Sequence, residues 1–203
     1  MKNQVVALNM KNKIKVLLVD ENSGRSAVVE RALLDNGYDV VGRITTEEDI
    51  PQVLKRIETD VVIYSMESPD EDILESIQSI NLYSPKPVVM FADKSDSETI
   101  GRAVKAGVSA CIVDGLSNSR IKPIMDVAIA RFREFQALKD ELTKTKSDLA
   151  DRKVIDKAKG IIMKQRDCSE DESYKALRKL AMDKNDKIVN VARSVIEVYD
   201  LLG

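Results

Sequence analysis

Acidic and hydroxyl residues stand directly after short apolar runs of this sequence, where an α/β protein commonly carries its chemistry. Asp20 and Glu21 follow the run Val16–Val19, and Ser65 follows the run Val61–Tyr64. Carboxylate oxygens are the ligands that Mg²⁺ prefers in proteins, so the acidic pair could bind a divalent cation. Catalysis has less support, because none of the 203 residues is histidine. Without histidine the commonest general base and metal ligand is missing, and we expect a binding protein, not an enzyme.

Basic side chains recur near the C-terminus at helical spacing. On a helical wheel of about 100° per residue, Lys153, Lys157, Gly160 and Lys164 fall within roughly 60° of one another. On the next predicted helix, the outward basic residues are Lys175, Arg178 and Lys179. Two interpretations stay open at this stage. Either these are solvated helix faces with Gly160 permitting close helix packing, or they form a nucleic-acid surface that a backbone approaches at Gly160.

Charge divides the chain into parts. Residues 1–118 carry 13 basic and 19 acidic side chains, a net charge of −6, whereas residues 119–150 and 151–203 each carry a net charge of +2. This asymmetry suggests modules with different partners. The sequence contains no apolar run long enough for a membrane helix, and residues 1–13 do not resemble a secretory signal. We expect a cytoplasmic protein whose two cysteines, Cys111 and Cys168, are reduced thiols.

The first half of the chain alternates short apolar runs with helical patterns. Continuous apolar runs predict strands that are covered on both faces, as in a parallel sheet. Five such strands, alternating with helices, predict a doubly wound α/β domain with the flavodoxin-like strand order. The predicted strands are Lys15–Asp20, Val40–Arg43, Val61–Tyr64, Val88–Phe91 and Ala110–Val113, and the predicted helices are Ser26–Asn36, Glu47–Glu58, Asp70–Leu82 and Ser97–Ala106.

Strand patterns end before Ser119, and helical patterns follow. Apolar residues three, four or seven apart predict a long helix over residues 119–150, which either forms a short dimeric coiled coil through residues 121–149 or packs on its own sheet. Residues 151–203 predict three short helices, of which the second begins with a capping box between Ser169 and Glu172. We expect Tyr174, Leu177, Leu180 and Ala181 to form the buried side of that second helix. The predicted organisation is a tail (1–13), an α/β domain (14–130), the long helix (119–150) and a small all-α domain (151–203).

The run VLLVDE, with its acidic pair, resembles a response-regulator receiver domain, and the resemblance covers roughly residues 14–130. Receivers end their third strand with a phosphate-accepting aspartate, where this sequence has Ser65. Ala92 replaces the hydroxyl residue expected after the fourth strand, and Asp114 replaces the lysine expected after the fifth. The resemblance therefore implies a degenerate site that is not phosphorylated, with no metal expected beyond weak Mg²⁺ binding at Asp20 and Glu21.

The C-terminal pattern, with the segment AKGIIM at residues 158–163, resembles the ANTAR domain, an RNA-binding module of transcription antiterminators. The ordered residues that carry this resemblance are Arg152, Ile155, Ala158, Lys159, Gly160, Ile161, Met163, Ser169, Glu172, Leu177, Arg178, Ala181, Val191 and Ala192. The resemblance implies binding to structured RNA hairpins through phosphates and a few splayed bases. The expected RNA-binding residues are Arg152, Lys153, Lys157, Lys159, Gly160, Lys164, Arg178 and Lys179.

The whole chain resembles the NasT-type antiterminators of nitrate and nitrite assimilation. This resemblance implies a protein that binds hairpins in nascent leader mRNA and prevents termination, without phosphorylation and without a cofactor. It also implies a nitrate-sensing protein partner. The alternatives are an ANTAR-type regulator of another pathway and a DNA-binding response regulator, although no helix-turn-helix is visible.

Overall fold

The computed structural model describes residues 13–113 and 118–202, and its first half is a five-stranded parallel sheet. The strands lie in the order β2-β1-β3-β4-β5, which confirms the doubly wound, flavodoxin-like prediction. The strands are β1 (Lys15–Val19), β2 (Asp39–Ile44), β3 (Val61–Met66), β4 (Val88–Ala92) and β5 (Ala110–Val113).

The sheet is buried on both faces because its central strands are almost entirely apolar. Alternate residues of β1 enter two separate clusters: Leu17 and Val19 pack on one face of the sheet, and Val16 and Leu18 pack on the other. The parallel register pairs Val19 with Tyr64, and Ser65 with Phe91. The carboxyl ends of β1, β3 and β4 are thereby aligned at one edge of the sheet.

Four helices connect the strands, and a side chain caps the start of each. They are α1 (Ser23–Asp35), α2 (Ile50–Arg56), α3 (Glu71–Tyr83) and α4 (Ser97–Ala106). The helix α1 begins three residues earlier than predicted, because the side chain of Asn22 accepts a hydrogen bond from the Arg25 amide. The helix α2 begins later than predicted, because Asp49 caps it in the same way, with Pro51 in its first turn.

One continuous helix, α5 (Asn118–Arg166, 49 residues), follows the sheet. The separate helix expected to begin near residue 151 is not observed, and the last turns of α5 take its place. Thr145 and Arg152 interrupt the apolar repeat, but neither residue stops a helix, and no proline follows Pro123 within α5. The start of α5 packs on the sheet, since Ile121, Met125 and Ala128 are completely buried.

Residues 136–203 form a second compact unit, separate from residues 1–135. The end of α5 packs with α6 (Glu170–Asp183) and α7 (Ile188–Leu202). Its core contains Ala158, Leu177, Ala181, Val191 and Ala192. The capping box that begins α6 is present as predicted, with hydrogen bonds in both directions between Ser169 and Glu172.

The buried side of α6 differs from the prediction. Ser173, Leu177 and Ala181, which are four residues apart, face the core, whereas Tyr174 is 43% exposed and Leu180 is 38% exposed. The expectation that Tyr174 belongs to the core is therefore wrong. A helix this short buries a narrow stripe at a spacing of four, and Tyr174 lies one position beside that stripe. None of the described helices combines the length and hydropathy needed to span a membrane.

Candidate functional sites

The structure brings the degenerate receiver residues together at the carboxyl edge of the sheet. Asp20 follows β1, Ser65 lies near the end of β3, and Ala92 ends β4. All three are buried, and the side chain of Asp20 is entirely so. The Asn22 amide donates to Asp20 Oδ1 at 2.8 Å. Asp114, which stands in place of the expected lysine, lies outside the described residues.

Arg25 occupies the centre of this edge, and the sequence analysis did not single it out. Its Nη2 donates to Asp20 Oδ1 at 2.8 Å, and its Nε donates to Asp20 Oδ2 at 3.1 Å. The same guanidinium donates from Nη2 to the Ser65 carbonyl oxygen at 3.2 Å and from Nη1 to Asp93 Oδ2 at 3.3 Å. The hydrogen bond with Asp20 is the main reason that the pKa of Arg25 lies above its ordinary value, with the charges of Asp20 and Asp93 adding to it.

Glu21 does not join Asp20 in a cation site. Its side chain accepts a hydrogen bond from the Thr46 hydroxyl, while both carboxylate oxygens of Asp20 are engaged by Arg25. Within residues 13–113 and 118–202, no group of three acidic or cysteine side chains is arranged to hold a metal. A cavity of about 410 Å³ at this edge is lined by Glu21, Asn22, Arg25, Thr46, Ser65, Met66, Glu67, Ser68, Asp70 and Ile73.

The second candidate surface is a depression of about 600 Å³ around Gly160 in the helical unit. Arg152, Lys159, Met163 and Tyr174 line it together with Gly160. A Cβ placed on Gly160 would meet no atom within 4 Å. The interpretation that glycine permits a neighbouring helix of this chain to pack closely is therefore wrong, because no side chain or backbone of the described residues occupies that space.

Carboxylates also line the depression, and they engage part of the expected basic surface. They are Asp148, Asp151, Asp156 and Glu170. Lys159 Nζ lies 2.7 Å from Asp156 and 2.6 Å from Glu170, and only 14% of its side chain is exposed. Its hydrogen bonds with these two carboxylates raise the pKa of Lys159. In this structure Lys159 joins α5 to the start of α6, whereas the side chain of Arg152 remains 82% exposed.

The other expected RNA-binding residues are distributed over several surfaces. Lys153 and Lys164 are exposed on α5, and Lys157 Nζ lies 3.4 Å from Asp200 of α7. Lys179 borders an apolar groove of about 840 Å³ between α5, α6 and α7, which Arg166 and Lys184 also line. Arg178 lines a separate shallow depression at the turn between α6 and α7. The sequence pattern did not indicate this groove, because its floor forms only when the three helices pack.

Comparison with known proteins agrees with this division into an α/β half and a helical half. The sequence profile of the ANTAR domain matches residues 143–196. The transcriptional regulatory protein PdtaR of Mycobacterium tuberculosis is 26% identical over 183 residues, which cover 90% of this chain and 89% of that protein. The nitrate regulatory protein of Klebsiella oxytoca is 36% identical over 80 residues, which cover 39% of this chain and 20% of that protein.

Among solved structures, the signal receiver domain of a modulated diguanylate cyclase from Desulfovibrio desulfuricans G20 has the same fold. Its TM-score is 0.52 at 18% identity, and the match covers 60% of this chain and 98% of that one. The chain thus has the fold of response-regulator receivers in its first half and matches the ANTAR domain over residues 143–196, in agreement with the sequence resemblance.

Proposed function

We propose that this protein is an RNA-binding transcription antiterminator that binds hairpins in nascent leader mRNA. The observation that carries the proposal is the ANTAR domain match over residues 143–196, which coincides with the compact helical unit. An antiterminator acts by binding, and the absence of histidine from the chain fits a protein without catalysis. Nascent mRNA as the ligand implies action in the cytoplasm.

The helical unit offers two kinds of basic side chain for RNA. Lys153, Lys164, Arg178 and Lys179 are exposed, and we assign them to phosphate contacts. Arg152 and the exposed Tyr174 both line the depression around Gly160, where a splayed loop base could stack and hydrogen-bond. Lys157 pairs with Asp200 and Lys159 pairs with Glu170 in this structure. Under this proposal each lysine must break its ion pair before it can contact RNA.

The decisive experiment compares a leader hairpin with duplex DNA of equal length in a mobility-shift titration. We expect the hairpin to bind at least tenfold more tightly, because a base splayed from a loop is available only in the hairpin. Lys164→Ala should weaken binding to every hairpin to a similar extent and lower the salt slope by roughly one unit. The matched control is Lys94→Ala, which replaces an exposed lysine of residues 1–135, which we call the receiver unit. It should change neither the affinity nor the salt slope. Equal affinity for DNA would favour the alternative of a DNA-binding regulator.

We further propose that the receiver unit acts without phosphorylation. Ser65 replaces the acceptor carboxylate, its side chain is buried, and Arg25 binds its carbonyl oxygen. A serine without a neighbouring base is a poor nucleophile. Incubation with acetyl phosphate and Mg²⁺ should leave the mass of the protein unchanged. A stable phosphoryl adduct at Ser65 that alters RNA affinity would contradict this proposal.

For the regulated pathway we propose nitrate and nitrite assimilation, with a nitrate-sensing protein partner bound to the receiver unit. The support is the similarity to the nitrate regulatory protein of Klebsiella oxytoca, and the chain covers only one fifth of that protein. The alternative is an ANTAR-type regulator of another pathway, supported by the longer match to PdtaR. RNA captured with the protein from cells and then sequenced separates the two, because the leader that contains the bound hairpin identifies the genes that follow it.

We also propose a homodimer through α5. Within the expected range of residues 121–149, Ile121, Met125 and Ala128 are already buried against the sheet. Further along the helix the apolar repeat is exposed, with Leu138, Leu142 and Leu149 each exposed by 55 or 56%. We refer to these three residues as the leucine seam. A second copy of the same seam would cover it as a short coiled coil.

A further inference from the structure

A receiver fold implies a divalent cation among acidic residues at the carboxyl edge of the sheet, and the residues of this chain do not fit one. The third strand supplies Ser65 in place of a carboxylate, and Glu21 is directed to Thr46. Both oxygens of Asp20 accept hydrogen bonds from Arg25. A metal could reach Asp20 only by displacing that guanidinium.

We propose that the guanidinium of Arg25 is a built-in replacement for the receiver cation. It joins the three elements that a cation at this edge would join. From the first turn of α1 it contacts Asp20 after β1, the Ser65 carbonyl of β3 and Asp93 after β4. The receiver unit is therefore independent of divalent cations and holds one fixed arrangement of these strand ends.

The burial of Asp20 explains why some cation is needed there. Its side chain has no exposed surface, and an isolated buried carboxylate is strongly disfavoured. The Asn22 amide supplies one hydrogen bond, and Arg25 supplies the balancing charge through a two-pronged contact. Only 25% of the Arg25 side chain is exposed, so solvent screens this pair weakly.

The position of Arg25 supports the same conclusion. A positive charge in the first turn of a helix opposes the helix dipole, so α1 by itself gains nothing from an arginine there. A guanidinium also stays charged at every physiological pH, and unlike a bound ion it cannot dissociate or be chelated. The arrangement that it holds is permanent, and control of this unit is left to a binding partner. This inference does not depend on RNA binding.

The test follows the thermal unfolding of the full chain in EDTA and in millimolar Mg²⁺. The wild-type melting temperature should be the same in both. Arg25→Met should lower the melting temperature of the receiver transition by about 10 °C, because it leaves a buried charge without a partner. Mg²⁺ should restore part of that loss, since Asp20, Asp93 and the Ser65 carbonyl then become free to coordinate it. Arg31→Ala, which removes an exposed arginine of the same helix paired with Asp35, is the matched control and should change little.

A double variant keeps the proposal testable if Arg25→Met folds poorly. Asp20→Asn combined with Arg25→Met removes both charges, so its melting temperature should exceed that of Arg25→Met alone. Stabilisation of the wild type by Mg²⁺ would overturn the proposal. The proposal would also fail if Arg25→Met had the same melting temperature as Arg31→Ala, or if Mg²⁺ did not raise the melting temperature of Arg25→Met. It would fail equally if the decreases in melting temperature caused by Arg25→Met and Asp20→Asn simply added in the double variant.

Discussion

Tyr64 shows at the scale of one residue how the sheet changes the chemistry of a side chain. It is completely buried in β3, with its hydroxyl 3.0 Å from the Ser76 Oγ. Burial raises the pKa of Tyr64 to about 12, and the hydrogen bond with Ser76 opposes part of that rise. The phenol is therefore held in its neutral form well into the alkaline range.

The raised pKa of Tyr64 predicts that the protein loses stability at high pH. Above the ordinary tyrosine pKa of about 10, the unfolded chain releases the phenolic proton while the folded chain retains it. The free energy of unfolding should fall by roughly 2–3 kcal/mol as the pH rises towards the folded pKa. Tyr64→Phe should lose about 1 kcal/mol at neutral pH with the hydrogen bond, and should show a shallower alkaline decline. Urea titrations from pH 8 upwards measure the free energy of unfolding of the wild type and of Tyr64→Phe. If this free energy fell equally with pH in the two proteins, the raised pKa of Tyr64 would be contradicted.

Gly160 carries a second prediction at this scale. A helix gains about 1 kcal/mol when alanine replaces an interior glycine, and a Cβ here meets no atom within 4 Å. Gly160→Ala should therefore melt at the same temperature as the wild type or higher. If RNA approaches the backbone at this point, affinity for hairpins should fall while stability is kept. A stable Gly160→Ala protein with full affinity would remove the depression from the RNA site.

Single-residue contacts were the least predictable part of the molecule. The sequence identified Asp20 and Ser65, because each follows an apolar run that forms a strand. It could not identify Arg25, whose partners come from β1, β3 and β4 and meet only in the folded sheet. Lys159 looked available for RNA, although Asp156, three residues earlier on α5, and Glu170 at the start of α6 both pair with it.

Elements were predicted better, because their signals are local. The five strands follow from continuous apolar runs, and the start of α6 follows from the capping box at Ser169 and Glu172. The sequence predicted two helices where the structure has the single helix α5. The apolar repeat changes near residue 150, but the residues there have the same helix propensity as those before them. A repeat describes what a helix packs against, and it does not show where the helix ends.

The leucine seam of α5 gives the prediction at the element scale. Leu142→Lys should leave the fold of each chain intact, because Leu142 is 55% exposed. It should weaken the proposed dimer by about 100-fold, since each copy loses the burial of one leucine, worth roughly 1.5 kcal/mol or more. Sedimentation equilibrium measures the dissociation constant. Ser147→Lys adds the same charge at an exposed position on the face of α5 opposite the seam and serves as the control. If both variants sediment as the wild type does, the seam is not the dimer contact.

At the scale of the whole molecule, charge separates the two compact units. Residues 1–135 carry 17 basic and 21 acidic side chains, a net charge of −4, whereas residues 136–203 carry 15 and 13, a net charge of +2. The helical unit also has its own core, which includes Leu177, Ala181 and Val191. These observations support the proposal that RNA binds to the second unit and a partner protein binds to the first.

This division predicts that residues 136–203 alone bind hairpins at least as tightly as the full chain. The fragment keeps every residue assigned to RNA and loses a unit whose net negative charge repels phosphates. Affinity measured at several salt concentrations should give the same slope for fragment and full chain, because the slope counts phosphate contacts and all of them lie within the fragment. Residues 1–135 should bind no hairpin under the same conditions. Circular dichroism and a cooperative melt would show that the fragment is folded. If such a folded fragment bound hairpins tenfold more weakly than the full chain, part of the RNA site would lie on the receiver unit.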